Sequence, residues 1–337
     1  MAMYAANAGK SGGEYFTPQS VSELLTRITL LDKEAPNGYK TQVNKVYDPA
    51  CGSGSLLLKF AKVLGKDNVK DGFFGQEINL TNYNLARINM FLHDINPARF
   101  NIQYGDTLLK PLHLDQKPFD AIVSNPPYST KWEGDSNPLL INDERYAPAS
   151  KLAPKSKADL AFTMHMLHHL SPKGTAAIVE FPGVLYRSGA EKTIREYLIK
   201  QNFVEAVIQL PSNLFFGTSI ATVILVLRKN KTTTDTIFID ASAEFIKVTK
   251  DNQLTDDNIT TVLSWLQTRE TVPHRVAIID NQRILDNDAN LTVSSYVEAE
   301  DTTVKIDIHQ LNQDIATTVE RITTLRMEID TIITELN

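Results

Sequence analysis

The 337-residue chain predicts an α/β protein: a doubly wound, seven-stranded sheet with an antiparallel last strand, then a C-terminal extension ending in a long helix. Three observations carry that expectation. Short β-rich runs alternate with longer amphipathic ones over residues 14–230. The rhythm breaks after Leu210, where two β-rich runs follow one another with no helix between them. Residues 301–337 then carry a 3-4 apolar spacing with no Pro or Gly.

Strands are expected at Lys45–Ala50, Phe73–Ile78, Asn101–Asp106, Phe119–Ser124, Thr175–Phe181 and Val204–Leu210. Helices are expected at Ser20–Leu30, Ser55–Val63, Thr81–Leu92, Asp159–Leu170 and Ala190–Lys200, each with apolar residues three and four apart. Val204–Leu210 runs through a turn at 211–217 into the β-branched stretch Thr218–Arg228, so that final pair is antiparallel. A parallel sheet closed by a reversed hairpin separates the methyltransferase (Rossmann-like) sheet from an all-parallel dinucleotide sheet, although a fold alone does not fix a function. Ile308, Leu311, Ile315, Thr318, Ile322, Leu325, Ile329, Ile332 and Leu336 form a heptad seam broken only at Thr318, and such a seam wants a partner helix.

Composition narrows the setting. With 42% hydrophobic and 22% charged residues the chain has the balance of a soluble globular protein. No apolar run approaches the roughly 20 residues of a bilayer span, and no membrane association is expected. The N-terminus has no secretory signal. Cys51 is the only cysteine, which excludes intramolecular disulfides and cysteine-built zinc sites and fits a reducing cytoplasmic setting. The formal net charge of −6 is unusual for a protein that grips a polyanion unaided. If the ligand is nucleic acid, the chain must gather its Lys and Arg locally or borrow a partner's surface.

The first strand ends in Asp48-Pro49-Ala50-Cys51-Gly52-Ser53-Gly54 and runs into a helix. Glycines there let backbone approach a ligand and aim amides at it. Glu77 closes the second strand, placed to accept from ribose hydroxyls. Asp106 closes the third, placed to accept from an adenine amino group. A dinucleotide is the rival ligand, but Leu57 stands where the third glycine of that fingerprint belongs. A carboxylate at Asp48 would also repel a pyrophosphate, whereas it suits the ammonium of a methionine moiety. The cofactor expected is therefore S-adenosyl-L-methionine.

The fourth strand ends in Asn125-Pro126-Pro127-Tyr128. Two prolines fix their φ angles and stiffen the loop, and a residue before proline is held extended. The loop can then present the Asn125 side-chain oxygen and the Pro126 carbonyl as two acceptors. An exocyclic aromatic amine is a poor nucleophile because its lone pair is delocalised into the ring. Two acceptors on its N–H bonds favour a tetrahedral nitrogen and aim the lone pair at the sulfonium methyl, so positioning and electrostatics carry the reaction. Tyr128 offers a stacking face for an extruded base, and Phe216 is the candidate second ring. Cytosine C5 chemistry is excluded because it needs a catalytic thiolate, and Cys51 lies in the cofactor turn. No metal is called for: His165, His168 and His169 share a helix face but no carboxylate or cysteine joins them. Lys151, Lys155 and Lys157 flank the loop after Tyr128, where phosphate contact and simple solvation are both open.

With these residues in view, the chain resembles the modification (methyltransferase) subunit of type I restriction-modification systems, an N6-adenine DNA methyltransferase family. The resemblance rests on Gly13–Pro18, Asp48–Gly54, Asn125–Tyr128 and Asn290–Val297, in the family's order. The segment Glu14-Tyr15-Phe16-Thr17-Pro18 discriminates best, since methyltransferases for protein glutamine and ribosomal guanine share Asn-Pro-Pro-Tyr but rarely pair it with that segment. The resemblance implies that Glu14, Tyr15, Phe16, Thr17, Pro18 and Gln19 lie over the methionine end of the cofactor. It implies action on double-stranded DNA in a complex of a specificity subunit and two modification subunits, to which a restriction subunit can be added. It gives residues 1–43 as linker and cofactor cap, 44–230 as the methyltransferase domain, 231–300 as an α/β extension and 301–337 as the helix that docks the specificity subunit. Family members carry a helical domain before the Glu14 segment, so the resemblance also implies a chain that lacks it, binds cofactor and methylates DNA poorly alone.

Overall fold

A computed structural model describes residues 17–35, 37–215, 219–249, 251–300 and 307–335. The first unit, residues 1–298, is organised by strands β1 (Val43–Asp48), β2 (Val69–Glu77), β3 (Phe100–Tyr104), β4 (Phe119–Ser124), β5 (Leu170–Glu180), β6 (Val204–Gln209), β7 (Val223–Arg228), β8 (Asp235–Asp240) and, after a small hairpin of β9 (Ile246–Val248) and β10 (Asp251–Gln253), β11 (Val276–Asp280). The main sheet runs β11-β8-β6-β7-β5-β4-β1-β2-β3. It therefore has nine strands, two more than the seven expected, because β8 joins β6 in parallel and β11 pairs antiparallel with β8.

The reversed strand β7 does not sit at an edge. It lies between β5 and β6, antiparallel to both, with Leu225 opposite Ile178 on one side and Val207 on the other. Its composition explains the placement. Val223, Ile224, Leu225, Val226 and Leu227 are all buried, so both faces of the strand are apolar, and such a strand belongs inside a sheet covered on both sides. Truncating one of these side chains to Ala would cost about 2–5 kcal/mol.

Helices α1 (Gln19–Leu30), α2 (Ser55–Phe60), α3 (Leu80–Leu92), α4 (Asp159–His169), α5 (Ala190–Lys200), α6 (Asp256–Thr268) and α7 (Asn281–Asp286) cover the sheet. One face is packed by α1, α2, α3 and α6 through Val21, Leu24, Leu57, Met90 and Leu263. The other is packed by α4, α5 and α7 through Leu160, Met164, Ile194, Leu198 and Ile284. Sequence chemistry sets the helix starts. Asn79 accepts from the amides of Thr81 and Asn82 to cap α3, and Thr255 and Asn258 form a reciprocal capping box on α6.

The second unit, residues 299–337, contains helix α8 (Ile308–Glu335), which buries none of its side chains. Ile308, Leu311, Ile315, Ile322, Leu325, Ile329 and Ile332 of the seam are exposed on it. No helix among the described residues is long and apolar enough to cross a membrane.

Candidate active site

Strand order places the site. β1 is flanked by β4 and β2 and runs parallel to both, with Tyr47 opposite Ile122 and Asp48 opposite Gly75. The carboxyl ends of β1, β2, β3 and β4 thus share one edge, at the point where the chain order reverses, and ligands of open α/β sheets bind in that crevice. The glycine turn, Glu77, Asp106 and Asn125 all leave the sheet there.

Two glycines shape the turn after β1. Gly52 has φ +52° and a Cβ there would face open space. Gly54 has φ +78° and a Cβ would meet Met90 Cε at 3.3 Å and Ala86 Cβ at 3.4 Å, so this glycine lets α2 pack on α3. Glu77 pins the turn: its Oε2 accepts from the Gly52 amide at 2.8 Å and its Oε1 from the Asn79 amide at 2.8 Å. Ser53 is held through its carbonyl, which accepts from Asn89 Nδ2 at 2.8 Å. Asp106 Oδ1 accepts from the amides of Leu108 and Leu109.

Asp48 is fully buried. Its Oδ1 accepts from the Ala50 amide and from the Ser124 hydroxyl, both at 3.0 Å, while Oδ2 has no partner among the described residues. Burial pushes its pKa up to about 7, opposed by the two hydrogen bonds and reinforced by the Glu77 charge. A buried carboxylate oxygen in that position calls for a cation or a proton.

The Ser124 hydroxyl joins this half of the site to the other, because the next residue is Asn125. The Asn125 Nδ2 donates to Thr17 Oγ1 at 2.9 Å, and its Oδ1 accepts from the Tyr128 hydroxyl at 2.6 Å. The amide is therefore clamped from both ends. Pro126 is buried, and its carbonyl accepts no hydrogen bond from the described residues. The chain leaves the loop through Ser129 at φ +49°, a conformation that side-chain-bearing residues adopt at a cost. That exit is fixed by the Ser129 amide donating to Asp159 Oδ1 at 3.0 Å.

The structure thus brings Asp48, Gly52, Ser53, Gly54, Glu77, Asp106, Asn125, Pro126, Pro127 and Tyr128 to one edge, and adds Thr17 through its bond to Asn125. Pro18 and Gln19 follow Thr17 into the start of α1, where the Pro18 carbonyl accepts from Ser22. Glu14, Tyr15, Phe16 and Phe216 lie outside the described residues. Of the α4 histidines, His165 and His169 are buried in the core, while His168 meets Lys117 Nζ nearer the surface. His165 is fully buried between the Tyr47 hydroxyl at 2.9 Å and Arg145 NH1 at 3.1 Å, and burial drives its pKa well down, so it is neutral. His169 donates from Nδ1 to the His165 carbonyl.

One residue that braces the site gave no sequence signal. Arg145 is 1% exposed, pairs with Asp143, and donates to the carbonyls of Thr107 and Leu108. Thr107 in turn donates to the Pro49 carbonyl at 2.6 Å. Arg145 therefore ties the irregular segment after Tyr128 to both the Asp106 turn and the Asp48 turn. An isolated Arg in a loop carries no period or motif that would betray such a role.

Residues 1–305 match the N-6 DNA Methylase family. The chain is 48% identical over 345 aligned residues to the type I restriction enzyme MpnII methylase subunit of Mycoplasma pneumoniae, covering 100% of this chain and 62% of that protein. It is 32% identical to the MjaVIII methylase subunit of Methanocaldococcus jannaschii, over 93% of this chain and 54% of that one. Among solved structures it superposes on the type I restriction-modification methyltransferase subunit of Streptococcus thermophilus with TM-score 0.81 and 39% identity, over 88% of this chain and 62% of that one. It shares the fold of the EcoKI M protein at TM-score 0.63 and 18% identity. The chain thus spans 62% of the length of the MpnII subunit and 54% of that of the MjaVIII subunit. On the family match, on these likenesses and on a site assembled around Asn125–Tyr128, the chain belongs to the N-6 DNA methylase family.

Proposed function

We propose that this chain transfers a methyl group from S-adenosyl-L-methionine to N6 of an adenine flipped out of double-stranded DNA, as the modification subunit of a type I restriction-modification complex. The observation that carries the reading is the junction of the two half-sites: one hydroxyl, Ser124, hydrogen-bonds the buried Asp48 and directly precedes Asn125. When bound, the cofactor supplies an electrophilic methyl group on a sulfonium.

The residues fit that ligand. The unpartnered Asp48 Oδ2 suits an ammonium, the open face of Gly52 leaves room for close approach, and the Glu77 carboxylate, hydrogen-bonded to the Gly52 amide, stands at the end of the strand where ribose hydroxyls would donate. On the substrate side Asn125 Oδ1 and the Pro126 carbonyl accept from the two N–H bonds of the target amine, which restores nucleophilic character to its nitrogen. The Tyr128 bond to Oδ1 does not close this acceptor, since an amide oxygen has two lone pairs. Thr17 holds Nδ2 away from the base. Tyr128 supplies a ring for stacking, with Phe216 as its proposed counterpart. No strong general base is required because the methylated ammonium product is acidic enough to lose its proton afterwards.

Partners follow from chemistry and likeness together. An acidic chain needs help to hold DNA, and the exposed seam of α8 suits the helices of a specificity subunit. A second modification subunit and a restriction subunit complete the proposed assembly, in the cytoplasm. The test is a labelled-methyl assay with the specificity subunit present, comparing duplex DNA, RNA and protein acceptors. Label in duplex DNA supports the reading; label confined to RNA or protein overturns it.

A further inference from the structure

The segment between Tyr128 and α4 is some 30 residues without a long helix or strand, yet it is firmly built. The Trp132 amide donates to the Lys155 carbonyl at 3.0 Å, its indole to the Pro154 carbonyl at 3.1 Å, and the Ala158 amide to the Thr130 carbonyl at 2.9 Å. Gly134, at φ +50°, lets the two limbs approach: a Cβ there would stand 3.2 Å from Lys155 Cα. Irregular segments of this length in a compact domain are commonly functional. Together with Ala190 it lines an open concavity of about 630 Å³, whose walls include Lys131, Lys151, Lys155 and Asp135.

We infer that this cavity binds backbone phosphates of the DNA beside the flipped base, with Lys131, Lys151 and Lys155 as the contacting cations. The inference rests on the DNA-methylation reading above and extends it to a contact site.

Three observations point there. First, the three ammonium groups have no hydrogen-bond or ion-pair partner among the described residues. Many other lysines of the chain do: Lys45, Lys59, Lys117, Lys192 and Lys231 all bond carbonyls or carboxylates. Three unpartnered ammonium groups around one cavity, against the single carboxylate of Asp135, give a cationic concavity on a chain of net charge −6. The three exposed ammonium groups give the concavity a positive potential, which attracts an anionic ligand. Second, the walls of the cavity spring from the sheet edge that also carries the Asn125–Tyr128 loop. Its Lys131 limb leaves the carboxyl end of β4, and Ala190 begins α5 after the carboxyl end of β5, which runs parallel to β4. Third, Lys131 is three residues from Tyr128, at most about 10 Å of chain. That reach matches the phosphates flanking a base held at Tyr128. Lys157, grouped with these lysines in the sequence, does not line the cavity.

The test measures salt-dependent duplex binding by fluorescence anisotropy, with the specificity subunit and cofactor present. It compares the wild type with the triple variant K131Q/K151Q/K155Q and the charge-keeping K131R/K151R/K155R. Each phosphate contact contributes about 0.9 to the slope of log affinity against log salt. The Gln variant should therefore lose about 2.7 from that slope, so its affinity falls about 40-fold less than wild type between 50 and 200 mM salt. Its calorimetric affinity for S-adenosylmethionine and its thermal midpoint should be unchanged, and the Arg variant should keep the wild-type slope. An unchanged slope in a folded, cofactor-binding Gln variant overturns the inference. Failure of the methylation reading looks different: the wild type would then leave no label in duplex DNA, whatever the slopes.

Discussion

Replacing Asp48 by Asn should weaken cofactor binding and, in the same protein, stabilise the free fold at alkaline pH. The carboxyl is fully buried and its pKa is raised from 3.8 to about 7. Ionising it inside the fold therefore costs on the order of 4 kcal/mol relative to the unfolded chain. Because the folded pKa is the higher one, the favourable contribution of the protonated carboxyl is fully present below about pH 4 and disappears as pH climbs through 7. An Asn at this position keeps an acceptor for the Ala50 amide and the Ser124 hydroxyl, but puts an NH2 where Oδ2 has no partner. That misplaced donor costs about 1–3 kcal/mol. The variant should then be about 1–3 kcal/mol more stable than wild type at pH 8, and within about 1 kcal/mol of it at pH 5, by urea denaturation. Cofactor titration calorimetry gives the second readout. Wild-type affinity should drop about tenfold between pH 8 and pH 6 as Asp48 takes up its proton, and the Asn variant should bind more weakly without that component. Comparing the two proteins cancels the titration of the cofactor's own amine. Identical pH profiles, or a variant less stable than wild type at pH 8, would refute the electrostatic role given to Asp48.

Three further outcomes are expected. Thr17→Val should lower the methyl-transfer rate roughly tenfold, about 1.4 kcal/mol of lost positioning, while cofactor affinity changes less; calorimetry beside single-turnover kinetics separates the effects, and a larger loss of affinity would place Thr17 on the cofactor instead. Arg145→Met leaves Asp143 and two loop carbonyls without their donor and should cost about 3–5 kcal/mol in urea denaturation. Ile322→Asp with Ile329→Asp on α8 should abolish co-purification with the specificity subunit and leave cofactor binding as it was, whereas retention of the complex would move the docking surface elsewhere.

The parts of the fold legible in the sequence are those written in local periodicity. Alternating runs place β1 to β6 and the helices between them, and the missing helix before β7 dictates its direction. The position of β7 between β5 and β6 is a long-range pairing, which local pattern does not encode, although five consecutive buried aliphatics betray an interior strand once both faces are considered. β8 and β11 read only as a mixed extension, because short runs such as Thr236–Asp240 and Val276–Asp280 look alike whether they extend the main sheet or form a separate layer. At the site, Asp48, Glu77 and Asn125 are legible because each closes a strand at the binding edge. Their mutual bonds are not. Glu77 reaching back to Gly52, Asn125 bonding Thr17 across 108 residues, and Arg145 tying the Asp48 and Asp106 turns together are products of packing, and only the folded chain brings them into contact.

The most direct measurement is single-turnover transfer of labelled methyl into duplex DNA by wild type and by Asn125→Ala, both with the specificity subunit, followed by nucleoside digestion. Label should elute as N6-methyl-2'-deoxyadenosine from the wild type and be absent from the variant, whose affinity for S-adenosylmethionine stays near that of wild type. Undiminished transfer by Asn125→Ala, or label on any other nucleoside, would contradict the assignment of Asn125 and Pro126 as the oxygens that grip the adenine amine.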